Sequence, residues 1–150
     1  MDTTRREALA VGIGAVAALT LAPVVPALAS ANAVDDAIAK FTSGKKPTVG
    51  KVAVSAPEIA ENGNTVPIAI EVESPMTEQD HVTDVLILAD GNPNPDVATF
   101  HFTPMSGMAA ASTRIRLAKT QNVIAVAKMS DGSVFMDKKT IKVTIGGCGG

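Results

Sequence analysis

From Val49 to Ile145 the chain keeps returning to one pattern: a short run of alternating apolar and polar residues, closed by Gly, Asn, Asp or Pro. Period-two alternation places every second side chain on the same face of an extended strand, so each run reads as a half-buried strand. Val66, Ile68, Ile70 and Val72 alternate with Pro67, Ala69, Glu71 and Glu73. Ile115 and Leu117 alternate with Arg114 and Arg116, and Ile141, Val143 and Ile145 with Thr140, Lys142 and Thr144. The expected strands are 51–54, 66–73, 83–89, 97–103, 112–118, 122–129 and 133–145. Between them lie turn clusters: Glu61-Asn62-Gly63-Asn64, the Asn/Pro-rich run 90–95, and Asp131-Gly132. The last is the strongest hairpin signal.

Short strands over about 100 residues, with regular turns, predict an all-β, immunoglobulin-like antiparallel β-sandwich. A small open barrel is the alternative. The chain has no Trp and one Cys, so a buried tryptophan and an intersheet disulfide are both excluded. The core must come from Val, Ile, Leu and Ala. Ahead of the strands, Val34, Ala37, Ile38 and Phe41 fall at helical spacing and predict a short N-terminal helix. Asp35 and Asp36 are expected in its first turn and Gly44 at its stop, as a helix that docks on or caps the sandwich.

The N-terminus reads as an export signal. Arg5-Arg6 precedes a largely apolar run, Ala8 to Ala22, and then the small-residue end Ala27-Leu28-Ala29. That order is a cleavable signal peptide, cut after Ala29 or Ala31, and the paired arginines point to the twin-arginine route over a plain Sec signal. The run is too short and too rich in Gly and Ala to be a good membrane span. The expected organisation is signal peptide 1–29, helix and linker 30–48, β-sandwich 49–145 and tail 146–150. Residues 30–150 form one domain of about 120 residues, expected to be soluble in an oxidising compartment. Net charge is −2, and removal of Arg5 and Arg6 with Asp2 and Glu7 leaves it unchanged. Without a basic patch, Trp or Tyr, the composition argues against nucleic-acid binding.

Few residues here carry chemistry. The histidines are His81, in a polar stretch, and His101, which alternates with Phe100 and Phe102 and so should face solvent or a partner. They lack metal spacing, and a zinc site built from both and the thiol is the minor alternative to solvated imidazoles. Met105 and Met108 read as core filling or loop packing, with a soft-metal or partner surface as the lesser alternative. The carboxylates read as solvated. No phosphate loop, dinucleotide fingerprint or Gly-x-Ser-x-Gly elbow is present. The chemistry therefore falls on Cys148, framed as Gly146-Gly147-Cys148-Gly149-Gly150. An unperturbed thiol has a pKa near 8.5, so about 3% is thiolate at neutral pH, and the tail supplies no base to activate it. An enzyme needs its nucleophile preorganised. A thiol on a glycine arm instead suits a carrier whose cargo is worked on by other proteins, with Gly146, Gly147, Gly149 and Gly150 providing flexibility. Three extended residues beyond Ile145 would project the sulfur about 10 Å.

The ending Val143-Thr144-Ile145-Gly146-Gly147-Cys148-Gly149-Gly150, with the Arg5-Arg6 leader, short helix and small β domain, resembles the SoxY family along the whole chain. The resemblance implies a periplasmic sulfur carrier of a thiosulfate-oxidising system, with no catalytic activity and no cofactor of its own. Cys148 would be the covalent attachment site for sulfur intermediates, and no metal site is implied. It implies SoxZ as heterodimer partner, with no signal of its own, and transient encounters with the cytochrome SoxAX, the hydrolase SoxB and, where present, the molybdenum enzyme SoxCD. A ubiquitin-like terminal thiocarboxylate fits poorly with the export leader. Prenylation fails because only two residues follow Cys148. The main alternative is an extracytoplasmic interaction module whose free cysteine forms an intermolecular disulfide.

Overall fold

A computed structural model describes residues 25–147. Arg5, Arg6, Cys148, Gly149 and Gly150 lie outside the described residues. One helix, α1 (Val25–Thr42), precedes nine strands: β1 (Thr48–Val49), β2 (Val52–Ser55), β3 (Ile59–Asn62), β4 (Val66–Val72), β5 (Val82–Ala89), β6 (Asp96–His101), β7 (Ala109–Ile115), β8 (Gln121–Met129) and β9 (Val134–Ile145). The larger sheet runs β1-β9-β8-β5-β6, with β3 also on β9, and the smaller runs β2-β4-β7. The two face each other as the expected immunoglobulin-like sandwich. The pairing is antiparallel except for β1 and β3, which run parallel to β9.

Sequence explains which sheet gets which neighbours. In β4 the alternation is clean: Val66, Ile68, Ile70 and Val72 are buried, while Pro67 and Glu71 face out. In β5 and β8 the apolar run is nearly continuous, and both faces are buried. Val85, Ile87 and Ala89, with Val123, Ala125, Ala127 and Met129, point into the sandwich against β4 and β2. Leu86, Leu88, Ile124 and Val126 point the other way, into a second cluster closed by Val34, Ala37, Ile38 and Phe41 of α1. Fully burying a side chain of this size stabilises by roughly 1.5–3 kcal/mol, so the helix is integral to the sheet.

Several boundaries differ from expectation. The helix starts at Val25, upstream of the expected segment 30–48, with Pro26 in its first turn, where a missing N–H costs little. No acidic residue lies in that turn, and Asp35 and Asp36 fall mid-helix. The stop is where expected: Ser43 and Gly44 adopt φ of 55° and 81°, and the Gly44 N–H donates to the Ala39 carbonyl at 2.8 Å. Strand β7 is shifted toward the N-terminus, since Ala109, Ala110 and Ala111 pair with Val72, Glu71 and Ile70. Strands β1 and β3 are too short to show a period. Between their contacts on β9, the Asp137 carboxylate accepts a hydrogen bond from the Val54 N–H at 2.9 Å and ties β2 to the other sheet.

The β8–β9 connection is the Asp131-Gly132 hairpin, with Gly132 at φ 82°. The Ser133 hydroxyl and backbone N–H both donate to the Asp131 carboxylate, holding its pKa below the ordinary 3.8. A depressed carboxyl pKa contributes stability that is present above the unfolded value and is lost as pH falls through the folded one. Ser133→Ala should move the Asp131 titration up toward 3.8, read by NMR of the carboxyl carbon. An unmoved midpoint would show that the turn does not hold the anion.

Candidate functional site

The tail leaves the fold at the end of β9, and three chain segments meet there through backbone alone. The Gly63 N–H donates to the Ile145 carbonyl at 2.7 Å, and the Leu117 N–H donates to the Gly63 carbonyl at 2.8 Å. The Gly147 N–H then donates to the Leu117 carbonyl at 2.9 Å. Such an approach leaves no room for side chains. A Cβ on Gly63 would stand 2.2 Å from the Leu117 carbonyl oxygen and 2.6 Å from the Gly147 nitrogen. On Gly146 it would stand 2.1 Å from the Ala118 oxygen, and on Gly147 2.7 Å from the Gly63 oxygen. None of the three has a left-handed φ, so the reason for glycine here is space. Gly147 is buried. Gly146 and Gly147, expected as part of a flexible arm, thus have a packing role that the sequence reading did not include.

Segment 117–120 is held from behind by two buried amides. Asn92 is 3% exposed and Gln121 5%. The Asn92 side-chain oxygen accepts from the Ala118 N–H at 3.0 Å and from the Gln121 amide at 2.8 Å, and its nitrogen donates to the Arg116 carbonyl at 2.9 Å. Gln121 also donates to the Lys119 carbonyl at 3.1 Å and accepts from the Gly91 N–H at 2.7 Å. Every polar atom of the pair is satisfied, so the network fixes the loop without leaving an orphaned group. Beside it, Asp90 accepts from both nitrogens of Asn122, and the Thr120 hydroxyl accepts from the Val143 N–H at 2.9 Å. An open cleft of about 540 Å³ adjoins this loop, lined in part by Asp35, Asp90, Lys119 and Lys138.

The histidines are elsewhere. Asp84 sits between His101 on β6 and Lys128 on β8, accepting from or pairing with His101 Nδ1 at 2.5 Å and facing Lys128 Nζ at 3.8 Å. The same ammonium lies 4.7 Å from the Phe41 ring centroid, which pins the C-terminal part of α1. His101 faces solvent while Phe100 and Phe102 pack on the core, as expected. His81 Nδ1 lies 3.0 Å from the Thr77 carbonyl, and the His81 backbone N–H donates to the Ser130 hydroxyl oxygen at 3.1 Å. Seven steps of β8 separate Lys128 from Gln121, about 23 Å at strand rise, so the fold brings neither imidazole to the tail root at Gly146 and Gly147. Among the described residues no three His, Cys, Asp or Glu side chains gather to hold a metal ion.

Two expectations are corrected. Met105 and Met108 do not fill the core: they are 96% and 62% exposed. A 3₁₀ turn at Pro104–Ser106 and Gly107 at φ 68° carry them outward. The carboxylates are not all merely solvated, since Asp84, Asp90 and Asp137 each hold a named structural partner. The sequence marks Asn92 and Gly63 only as turn residues and places Gln121 in no element. The one available signal was the density of amides and glycines in segments 62–64 and 90–94.

The fold and this terminus define a small immunoglobulin-like domain that presents a glycine-rooted tail bearing the only cysteine of the chain. The family described as Sulfur oxidation protein SoxY matches residues 38–148, and the chain belongs to it. Among solved structures, the sulfur carrier protein SoxY from Chlorobium limicola f thiosulfatophilum is 32% identical, with a TM-score of 0.65, over 76% of this chain and 94% of that one. A superoxide reductase (neelaredoxin) from Ignicoccus hospitalis is 18% identical, with a TM-score of 0.56, over 63% of this chain and 80% of that one. A putative superoxide reductase from Thermotoga maritima is 20% identical, with a TM-score of 0.53, over 69% and 89% respectively. The reductases share the fold alone. No curated protein matches the chain.

Asn92→Ala should cost about 1–3 kcal/mol, because it leaves the buried Gln121 amide and the part-buried Ala118 N–H and Arg116 carbonyl without their partner. Urea unfolding measures this. A change within experimental error of zero would mean that the amide pair does not hold the loop.

Proposed function

We propose that this protein is a covalent sulfur carrier of a periplasmic thiosulfate-oxidising system, with Cys148 as the attachment site. The observation that carries this reading is the tail root itself. In a chain of the SoxY family, the last described residues are fastened to one end of a rigid sandwich, and the sole cysteine follows Gly147 directly. A thiol placed there, with its chemistry supplied by other proteins, is a handle for cargo and not an enzyme's nucleophile.

The Cys148 thiolate and thiosulfate form one S–S bond, giving a cysteine S-thiosulfonate and two electrons, which a c-type cytochrome such as SoxAX accepts. Water then cleaves the outer S–S bond, a metal-dependent hydrolase such as SoxB releasing sulfate and a proton and leaving a persulfide on Cys148. Where a SoxCD-type dehydrogenase is present, it would take six electrons from the outer sulfur while three waters supply the oxygens of a sulfonate, and a second hydrolysis would then release sulfate and return the Cys148 thiol. The carrier works as a heterodimer with SoxZ. Export by the twin-arginine route, through Arg5 and Arg6, supports travel of a partner without its own leader.

Cys148→Ser should reduce thiosulfate oxidation by the reconstituted system to background, with the circular dichroism spectrum and partner binding of the unsubstituted chain retained. Activity that survives the substitution would sink the assignment.

A further inference from the structure

We infer that Gly63 is a positioning residue for sulfur hand-over. It locks Gly146 and Gly147 onto the sandwich, so that the cysteine leaves the fold from one fixed point at Gly147, two residues beyond the strand end. This inference rests on the carrier reading above.

The lock is a closed circuit of backbone bonds. Gly63 donates to Ile145 and accepts from Leu117, and Leu117 accepts from Gly147. Each of the three glycines fills space that a methyl group would share with backbone atoms, which cannot swing away as a long side chain can. Leu117 is fully buried, and the Asn92–Gln121 pair braces the loop that carries it. A rigid element thus stands on each side of the tail's first two residues.

The consequence is a change of reach. A tail free from Ile145 onward would command about 10 Å to Cys148, whereas one fastened at Gly147 commands a single residue, about 3.5 Å. A processing enzyme must then bring its reacting atoms close to this end of the sandwich, where Ile145 is 66% exposed at the root. Misplacement of a reacting centre by about 1 Å can cost on the order of a hundredfold in rate. Gly63 therefore acts through the direction and length it gives the tail, without touching the sulfur.

The test is Gly63→Ala in the full-length mature chain bound to its partner subunit. Gly146→Ala is the second variant; it attacks the same lock from the tail side, beyond the last strand, and a circular dichroism spectrum like that of the unsubstituted chain shows that the sandwich is retained. Two rates are compared: hydrolysis of the thiosulfonate-loaded carrier by the sulfonate-removing enzyme, and reaction of Cys148 with methyl methanethiosulfonate. Hydrogen exchange of the Gly147 amide reports the lock directly.

The expected result is Gly147 exchange faster by about tenfold, as follows from loss of one hydrogen bond. Hydrolysis should slow by at least about tenfold, with small-reagent labelling essentially unchanged. Hydrolysis that proceeds normally in Gly146→Ala while Gly147 exchange accelerates would overturn the inference. So would a Gly147 amide that is unprotected in the unsubstituted chain. The exchange readout needs no sulfur chemistry, so a failed carrier reading leaves it standing and the two failures are told apart.

Discussion

The structure depends on a central pair of strands, β5 and β8, being buried on both faces. Their inner side chains close the sandwich against β4 and β2, and their outer ones, Leu86, Leu88, Ile124 and Val126, must be covered by something else. Helix α1 is that cover, and the chain places it ahead of the first strand. Everything at the functional end follows from the rigidity of this three-layer stack. Strand β9 lies against β8 over most of its length and so delivers Ile145 and the tail to a defined place.

At that place, side chains give way to backbone. Three segments distant in sequence approach so closely that only glycine fits at Gly63, Gly146 and Gly147. Two buried amides, Asn92 and Gln121, stiffen the loop they close upon. The other polar clusters serve the frame: Asp84 with Lys128 and His101 secures the far end of the sheet and α1, and Asp137 joins the two sheets. This division suits the proposed carrier role, in which the tail offers a group to other proteins' active sites.

Much of the fold was legible because strand period and burial agree. Val66 to Val72 alternates and is a one-sided strand, and the near-continuous apolar runs in β5 and β8 mark strands covered twice. The helix stripe Val34, Ala37, Ile38 and Phe41 was legible for the same reason, although its start at Val25 was not. Strand β3 was missed because four residues, Ile59–Asn62, show no period, and their pairing with β9 is parallel and distant in sequence. Met105 and Met108 were misread because their exposure is decided by a turn geometry that hydropathy does not encode. The lock at Gly63 was invisible for a deeper reason. A missing Cβ reads as freedom in a sequence and as contact only once the opposing backbone is in view.

Cys148 is the proposed place where sulfur is held, in a chain of the SoxY family whose tail root at Gly147 is fastened to the sandwich. Intact mass spectrometry of the carrier complex during thiosulfate turnover tests this most directly. The account predicts a thiosulfonate adduct and then a persulfide, both mapped to the Cys148 peptide and both removed by reductant. A Cys148 that stays unmodified while thiosulfate is being consumed would contradict it.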